Sequence, residues 1–372
     1  MATVLDLIKQ LQEARGSKIV CYLTGDRHSI PANLPFSTQL HSDSFFSIYE
    51  ILKEIRDKNK GEIEKLELFL YTRGGEIDAV APMVNIFRKF SSKFNILIPF
   101  RAHSAGTLLC LGADNVVMTK IGEISPIDPT TANQFNPPSN PQDPNSPPKG
   151  ISVEDVASYF KFALKGGKNN KDAAEDKGRI VHLSGEASKL EVFKELTKNI
   201  SPLALGNVYR IYSQIRLLAK TLLCKHLPKN DPRIGKIVNA LVEEYFSHQH
   251  SIHADDAIEI FGGQIVKKAN DGDEKLMLQL FEEYVKAMKI DEIFNLREFM
   301  RDELEKPIDI DGAYIQSEYS TYIFKTKLKA SQRTQLPPNV NMQAPPGSSI
   351  PLIPNLPRAI NVDLVSSQWE KV

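Results

Sequence analysis

The chain is short of several things, and each shortage closes off a class of protein. Cysteine is scarce: three in 372 residues, Cys21, Cys110 and Cys224, isolated and set among apolar neighbours. Three separated thiols make neither a disulfide framework nor a zinc-ligand spacing, so no metal is expected. They read instead as buried thiols in a reducing, cytoplasmic setting. Net charge is lacking, because 46 Lys and Arg balance 46 Asp and Glu. Without an excess of positive charge, binding to nucleic-acid phosphates is not expected. No apolar run is long enough to span a bilayer, so no transmembrane segment is expected. The opening Met1-Ala2-Thr3-Val4-Leu5-Asp6-Leu7 has neither the basic leader nor the long apolar stretch of a signal peptide. No Walker sequence is present, so no nucleotide-binding P-loop is expected. No cofactor motif and no internal repeat occurs.

What is present is concentrated in residues 66–130. Two apolar runs each end in a glycine-marked turn that enters a helical pattern. The first is Leu68-Phe69-Leu70-Tyr71-Thr72-Arg73-Gly74-Gly75-Glu76-Ile77-Asp78. The second is Ile96-Leu97-Ile98-Pro99-Phe100-Arg101-Ala102-His103-Ser104-Ala105-Gly106. The runs are apolar throughout rather than alternating, which predicts parallel strands buried on both faces. Ile77, Val80, Ala81, Val84 and Phe87 then recur at helical spacing, and a helix of small residues and leucines follows Ser104. Strand, tight turn and helix, twice over, predict a right-handed βαβ arrangement. Ser104 falls where the second strand becomes a helix, beside free backbone N–H groups that can stabilise an oxyanion. Gly74-Gly75 ends the neighbouring strand without side chains to block a close approach. Taken singly, Ser104 also reads as a helix N-cap and Gly74-Gly75 as a turn; the pair on consecutive turns points to a site at the carboxyl ends of adjacent strands.

Thr72-Arg73-Gly74-Gly75 followed by Ala102-His103-Ser104-Ala105-Gly106 resembles the Clp protease and crotonase superfamily. The branch it resembles is the serine dehydrogenase proteinase family, related to signal peptide peptidase A, and Ile124-Ser125-Pro126-Ile127-Asp128-Pro129 shares that likeness. Where Clp proteases usually carry proline before the glycine pair, this chain has Arg73. The resemblance implies an α/β Clp/crotonase-type fold of repeated ββα units with a helical lobe. It implies a soluble serine endopeptidase that forms an acyl-enzyme on Ser104, with an oxyanion hole from Gly74, Gly75 and Ala105. It also implies a peptide or protein substrate and a homo-oligomer, with any ATP-dependent unfolding left to a separate unfoldase chain.

Serine needs a base at neutral pH. In Clp proteases the triad runs serine, histidine, aspartate along the chain. Here the two later types are exchanged: Asp128 stands in the histidine's place, and Phe246-Ser247-His248-Gln249-His250 in the aspartate's. The serine dehydrogenase proteinase family has that altered order, and a triad is defined by geometry rather than chain order. The resemblance therefore implies Ser104, Asp128 and His248 as the triad, with His250 as second choice for the base. His103 directly precedes the serine and its side chain is expected to point elsewhere. The alternative is a serine–lysine dyad as in signal peptide peptidases, with Lys120, Lys161 and Lys165 as candidates, each of which also reads as a solvated surface charge. Two other functions compete: an inactive scaffold that keeps the fold, and crotonase-type acyl-CoA chemistry, which needs no serine at the second turn.

Periodicity adds helices over 2–14, 42–59, 152–164 and 255–261, a mostly helical stretch over 191–227, and strands at 18–23, 115–119 and 264–266. Leu217, Leu218, Leu222 and Leu223 read as core or subunit interface. Residues 1–270 are expected to form the protease domain. Within it, 133–150 is a Pro- and Asn-rich flexible loop, either placed to close over the site or a plain insertion. Residues 271–329 read as a helix plus hairpin extension, and 330–372 as a disordered tail.

Overall fold

The computed structural model describes residues 3–25, 38–127, 130–164, 186–244, 250–301, 303–334 and 358–372. The chain opens with α1 (Val4–Arg15), capped by Thr3, and β1 (Lys18–Thr24). α2 (Phe45–Asn59) leads to β2 (Ile63–Tyr71), α3 (Ile77–Phe90) and β3 (Ser91–Ile98). Next come β4 (Arg101–Ala102), α4 (Ala105–Leu111), β5 (Asn115–Met118), β6 (Glu123–Ile124), β7 (Thr130–Thr131) and β8 (Ile151–Ser152). A helical lobe follows: α5 (Val153–Leu164), α6 (Glu186–Asn199), α7 (Pro202–Leu223) and α8 (Pro232–Asn239). β9 (Ile252–His253), α9 (Ala254–Phe261), β10 (Val266–Lys268) and α10 (Asp271–Met288) return the chain to the sheet. Three long strands end it: β11 (Glu305–Gln316), β12 (Thr321–Thr334) and β13 (Arg358–Lys371).

One eight-stranded sheet runs in the order β10-β5-β3-β2-β1-β11-β12-β13. Its first five strands are parallel and the rest antiparallel. The unbroken apolar runs of β1, β2 and β3 follow from burial on both faces. Val20, Tyr22, Leu66, Leu68, Leu70, Ile96 and Ile98 point into one core, with residues of α2, α3, α4, α7 and α9. Ile19, Cys21, Phe69, Tyr71 and Leu97 point into the other, under α1 and α10. Burial pushes the thiols of Cys21 and Cys110 up to about 12.

Glu67 breaks the apolar run of β2 and is fully buried. Arg15 donates from Nε to its Oε2 at 2.6 Å and from Nη2 to its Oε1 at 2.8 Å. Ser17 and Asn95 donate to the same carboxylate, and Arg15 also pairs with Asp273 at the start of α10. A buried carboxylate thus ties α1, β2 and α10 together. Burial alone would raise its pKa, but the hydrogen bonds and charge of Arg15 outweigh that and hold it below the ordinary value.

The C-terminal third departs from expectation. The hairpin expected within 271–329 is formed by β11 and β12 and runs on to Thr334, and β11 pairs with β1 through Cys21↔Gln316 to Thr24↔Ala313. It is part of the main sheet. The disordered tail expected over 330–372 does not hold for its described parts: β12 runs on to Thr334, and β13 pairs along β12 from Tyr322↔Lys371 to Thr334↔Arg358. Composition misled here: beside the β12 ladder, Trp369 packs edge-on against Tyr22 and Phe324, and its Nε1–H donates to Asp43 at 3.1 Å. Deleting residues 335–372 should lower the thermal midpoint by about 5 °C or more, since it strips these contacts and bares β12 as an edge. A midpoint unchanged by the deletion would show that β13 contributes nothing to the core.

The loop expected over 133–150 is tied at its base. β7 pairs with β8, and the Asn136 amide donates to Thr131 O and Lys149 O, each at 2.8 Å. In the lobe, Leu222 and Leu223 are core residues whereas Leu217 is exposed.

Candidate active site

The two glycine-marked turns meet at Ser104. Its backbone has φ 51° and ψ −110°, a region that residues other than glycine rarely occupy. Ser104 stands in the N-cap position of α4, yet its side chain makes no capping hydrogen bond. The hydroxyl is therefore not spent on the helix. Gly74, at φ 123°, lies directly against it: a Cβ there would come within 2.9 Å of Ser104 Cβ. Only a residue without a side chain lets the two turns approach so closely.

The first turn is built by threonines. Thr24 Oγ1–H donates to Thr72 Oγ1 at 2.8 Å. Thr72 Oγ1 in turn accepts the Gly74 N–H at 3.0 Å and donates to Gly74 O at 3.1 Å. Leu40 runs alongside, donating its N–H to Gly74 O and accepting the Glu76 N–H, so a side chain at Gly75 would collide with the Leu40 backbone. Of the three expected oxyanion donors, Gly74 thus has its N–H engaged by Thr72. The N–H groups of Gly75 and Ala105 have no acceptor among the described residues. Ala105 is the first residue of α4, where the N–H groups have no partner within the helix.

The second turn is held from β6. Ser125 Oγ accepts the Ser104 N–H at 2.9 Å. His103 N–H donates to Thr72 O and its carbonyl accepts the Gly106 N–H. The His103 imidazole turns to Glu123, with Nε2 3.2 Å from Oε1. Arg101 Nε–H donates to the same Oε1 at 2.6 Å. Burial would raise the Glu123 carboxyl, but hydrogen bonds from Ser251 and Arg101 and the nearby His103 outweigh it and leave the pKa below the ordinary value. Ser125, Thr72 and Glu123 were not assigned roles from the sequence. Ser125 was within reach of it, as a hydroxyl two residues after Glu123 in the quoted Ile124–Pro129 stretch.

The histidine-bearing segment joins the same framework. β4, β6 and β9 form a three-stranded sheet in that order, with Glu123 opposite His253 and Ile124 opposite Ile252. His250 is exposed and stands two residues before β9. Asp128 and His248 lie outside the described residues; Asp128 directly follows Ile127, whose N–H donates to Leu241 O at 2.9 Å. Among the dyad lysines, Lys120 is exposed and paired with Glu274 and Asp271. Its hydrogen bond to Glu274 raises its pKa, the opposite of what a general base requires. The side chain of Lys161 and all of Lys165 lie outside the described residues.

A cavity of about 340 Å³ adjoins the glycine turn. Gly75 and Ile77 line one side, Thr131 and Asn133 another, and Arg210 and Gln214 of α7 close it. Among the described residues no group of His, Cys, Asp and Glu could hold a metal ion, and no helix is long and apolar enough to cross a membrane.

This arrangement sets Ser104 at the head of α4 against the Gly74–Gly75 turn of an α/β fold. Residues 1–140, which contain both turns and Ser104, match the model of the ClpP-like SDH-type serine proteinases. The resemblance read from the two turns is borne out over that portion. Two uncharacterized proteins of Methanocaldococcus jannaschii are similar, one 28% identical over 135 residues and the other 27% over 128. These alignments cover 32% and 34% of this chain, and the chain spans less than half of either relative, 44% and 41%. Among solved structures, two mutants of the 1510-N membrane-bound stomatin-specific protease are similar, with TM-scores of 0.35 and 0.34 and identities of 14% and 15%. Each covers 64% of this chain, which spans 79% and 74% of theirs.

Proposed function

We propose that the chain is a serine endopeptidase that works through an acyl-enzyme on Ser104. The observation that carries this reading is the strained Ser104 backbone at the head of α4, pressed against a glycine that leaves it room. Strain of this kind costs about 1–3 kcal/mol and persists where function needs it. The Ser104 Oγ attacks the scissile carbonyl, and the N–H groups of Gly75 and Ala105 receive the developing oxyanion. Gly74 supplies the close approach rather than a donor. The substrate chain lies in the cavity between Gly75–Ile77 and Thr131–Asn133.

His248 takes the serine proton and passes it to the leaving amine, and Asp128 orients the imidazole. Support comes from β6 and β9, whose pairing brings the chain segments that continue to Asp128 and His248 off one small sheet next to Ser104. A homo-oligomer is supported by the exposed Leu203, Tyr209 and Leu217 on α7.

The acylation rate should rise with pH through the histidine range, because the base acts in its neutral form. His248→Ala should slow acylation by about 10²–10⁴-fold. Asp128→Asn should lower the rate with little change in KM, since it alters tautomer and orientation rather than the cleft. Pre-steady-state acylation across pH checks both. A nearly silent His248→Ala would refute His248 as the base, and a silent His250→Ala beside it would refute the exchanged triad and return the base to a lysine.

A further inference from the structure

The hydrogen bonds around Ser125 form a closed latch. Ser125 is fully buried, as is Thr107. Its hydroxyl has one proton and two lone pairs, and the proton goes to Pro126 O at 2.9 Å. A lone pair accepts the Ser104 N–H at 2.9 Å. The Ser125 N–H donates to Thr107 Oγ1 at 3.1 Å, and the Thr107 hydroxyl donates to Ala102 O at 2.9 Å. Ala102 ends β4, Thr107 lies in the first turns of α4, and Ser125 follows β6. The latch therefore encloses the turn that carries the serine and ties it to β6. Ile127, two residues on, is anchored through its N–H to Leu241 O.

We infer that Ser125 is a positioning residue that holds Ser104 in its strained conformation. The inference rests on the peptidase reading for its consequence but not for its geometry. A residue at φ 51° would relax toward an ordinary conformation if nothing over-determined it. Gly74 permits the conformation without imposing it. The peptide plane immediately before the nucleophile is held at one end by the Gly106 N–H on the His103 carbonyl, and at the other by Ser125 on the Ser104 N–H, the one side chain that bonds this amide among the described residues. That bond also keeps the Ser104 N–H turned to Ser125, while the next amide, of Ala105, is left without an acceptor among the described residues. Ser125 touches no reacting atom. It acts through Ser104, and the same short segment continues to Asp128.

The test compares full-length wild type with Ser125→Ala and Ser125→Cys, whose thiol is a weaker acceptor of similar shape. Hydrogen exchange at the Ser104 amide is read by fragmentation mass spectrometry, and a fluorophosphonate probe gives the labelling rate. In Ser125→Ala the amide should exchange at least ~10-fold faster and labelling should slow about 100-fold, the cost of a misplacement near 1 Å. On a peptide substrate, kcat should fall with KM nearly unchanged, and Ser125→Cys should recover part of both rates. Should the alanine variant fail to fold, the cysteine variant carries the comparison, with the same directions expected. Unchanged exchange at the Ser104 amide overturns the latch. Faster exchange with unaltered labelling overturns the positioning role. If wild type is never labelled, the peptidase reading fails on its own, and the exchange data alone decide whether Ser125 holds the turn.

Discussion

Ser104→Ala should abolish peptide hydrolysis, a loss of ~10³-fold or more in kcat/KM, and leave stability unchanged. The expectation rests on what the hydroxyl does not do. A serine that caps a helix contributes about 1 kcal/mol through its side chain. Ser104 occupies the cap position but makes no such bond. Its backbone amide, not its oxygen, is the group held by Ser125. Alanine keeps the Cβ that meets Gly74, so the packing of the two turns is unaltered. Ser104→Gly separates function from strain further. Glycine adopts φ 51° freely, so this variant should be as inactive as the alanine one yet no less stable than wild type. Denaturant midpoints and kcat/KM measured on all three proteins decide the matter. A stability loss near 1 kcal/mol in Ser104→Ala, with hydrolysis retained, would mean that the serine is a cap.

Arg15→Ala should be among the most damaging single changes far from the site, costing about 3–5 kcal/mol at neutral pH. It removes two charged hydrogen bonds from Glu67 and leaves that buried carboxylate with Lys65, 3.4 Å away, as its remaining cation among the described residues. The pH dependence gives the effect a signature. In wild type the Glu67 pKa lies below the ordinary carboxylate value. The stability it contributes is therefore complete above that value and is lost as pH falls below it, through the depressed pKa. In the variant, burial is no longer offset, the carboxyl pKa moves up, and protonation relieves the strain. The gap between wild type and Arg15→Ala should accordingly narrow on acidification. Urea unfolding at neutral pH and near pH 4 would measure it. A cost under ~1 kcal/mol, or an equal cost at both pH values, would contradict the account of this cluster.

How much of this was legible in the sequence varied with the range of the interactions. The apolar runs of β2 and β3 and the glycine turn before Ile77 are local signals, and they predicted both strands, both helices and the meeting of Gly74 with Ser104. Glu67 was not legible as a core residue, because its partners Arg15, Ser17 and Asn95 are scattered along the chain. β6 and β9, of two residues each, are too short for any periodicity, so the sheet that links Ser125 to the histidine segment was invisible. The tail misled for a different reason. The Pro- and Asn-rich stretch before Arg358 dominated its composition, yet Ile360, Val362 and Leu364 alternate at strand spacing and Trp369 had an obvious need for a partner. Thr72 acts through a hydroxyl bonded to the Gly74 backbone two residues on, and Thr107 through one bonded to Ala102 O and the Ser125 N–H, roles that neither composition nor periodicity marks. Asp128 and His248 came from family likeness alone.

The central claim is that Ser104 is a nucleophile presented beside the N–H groups of Gly75 and Ala105, which have no acceptor among the described residues. Its most direct test is labelling of the folded full-length chain with a fluorophosphonate, followed by peptide mapping. The account predicts one adduct, on Ser104, absent from the heat-unfolded protein and from Ser104→Ala. Absence of any adduct on the folded chain, or an adduct on another serine with Ser104 unmodified, would contradict it.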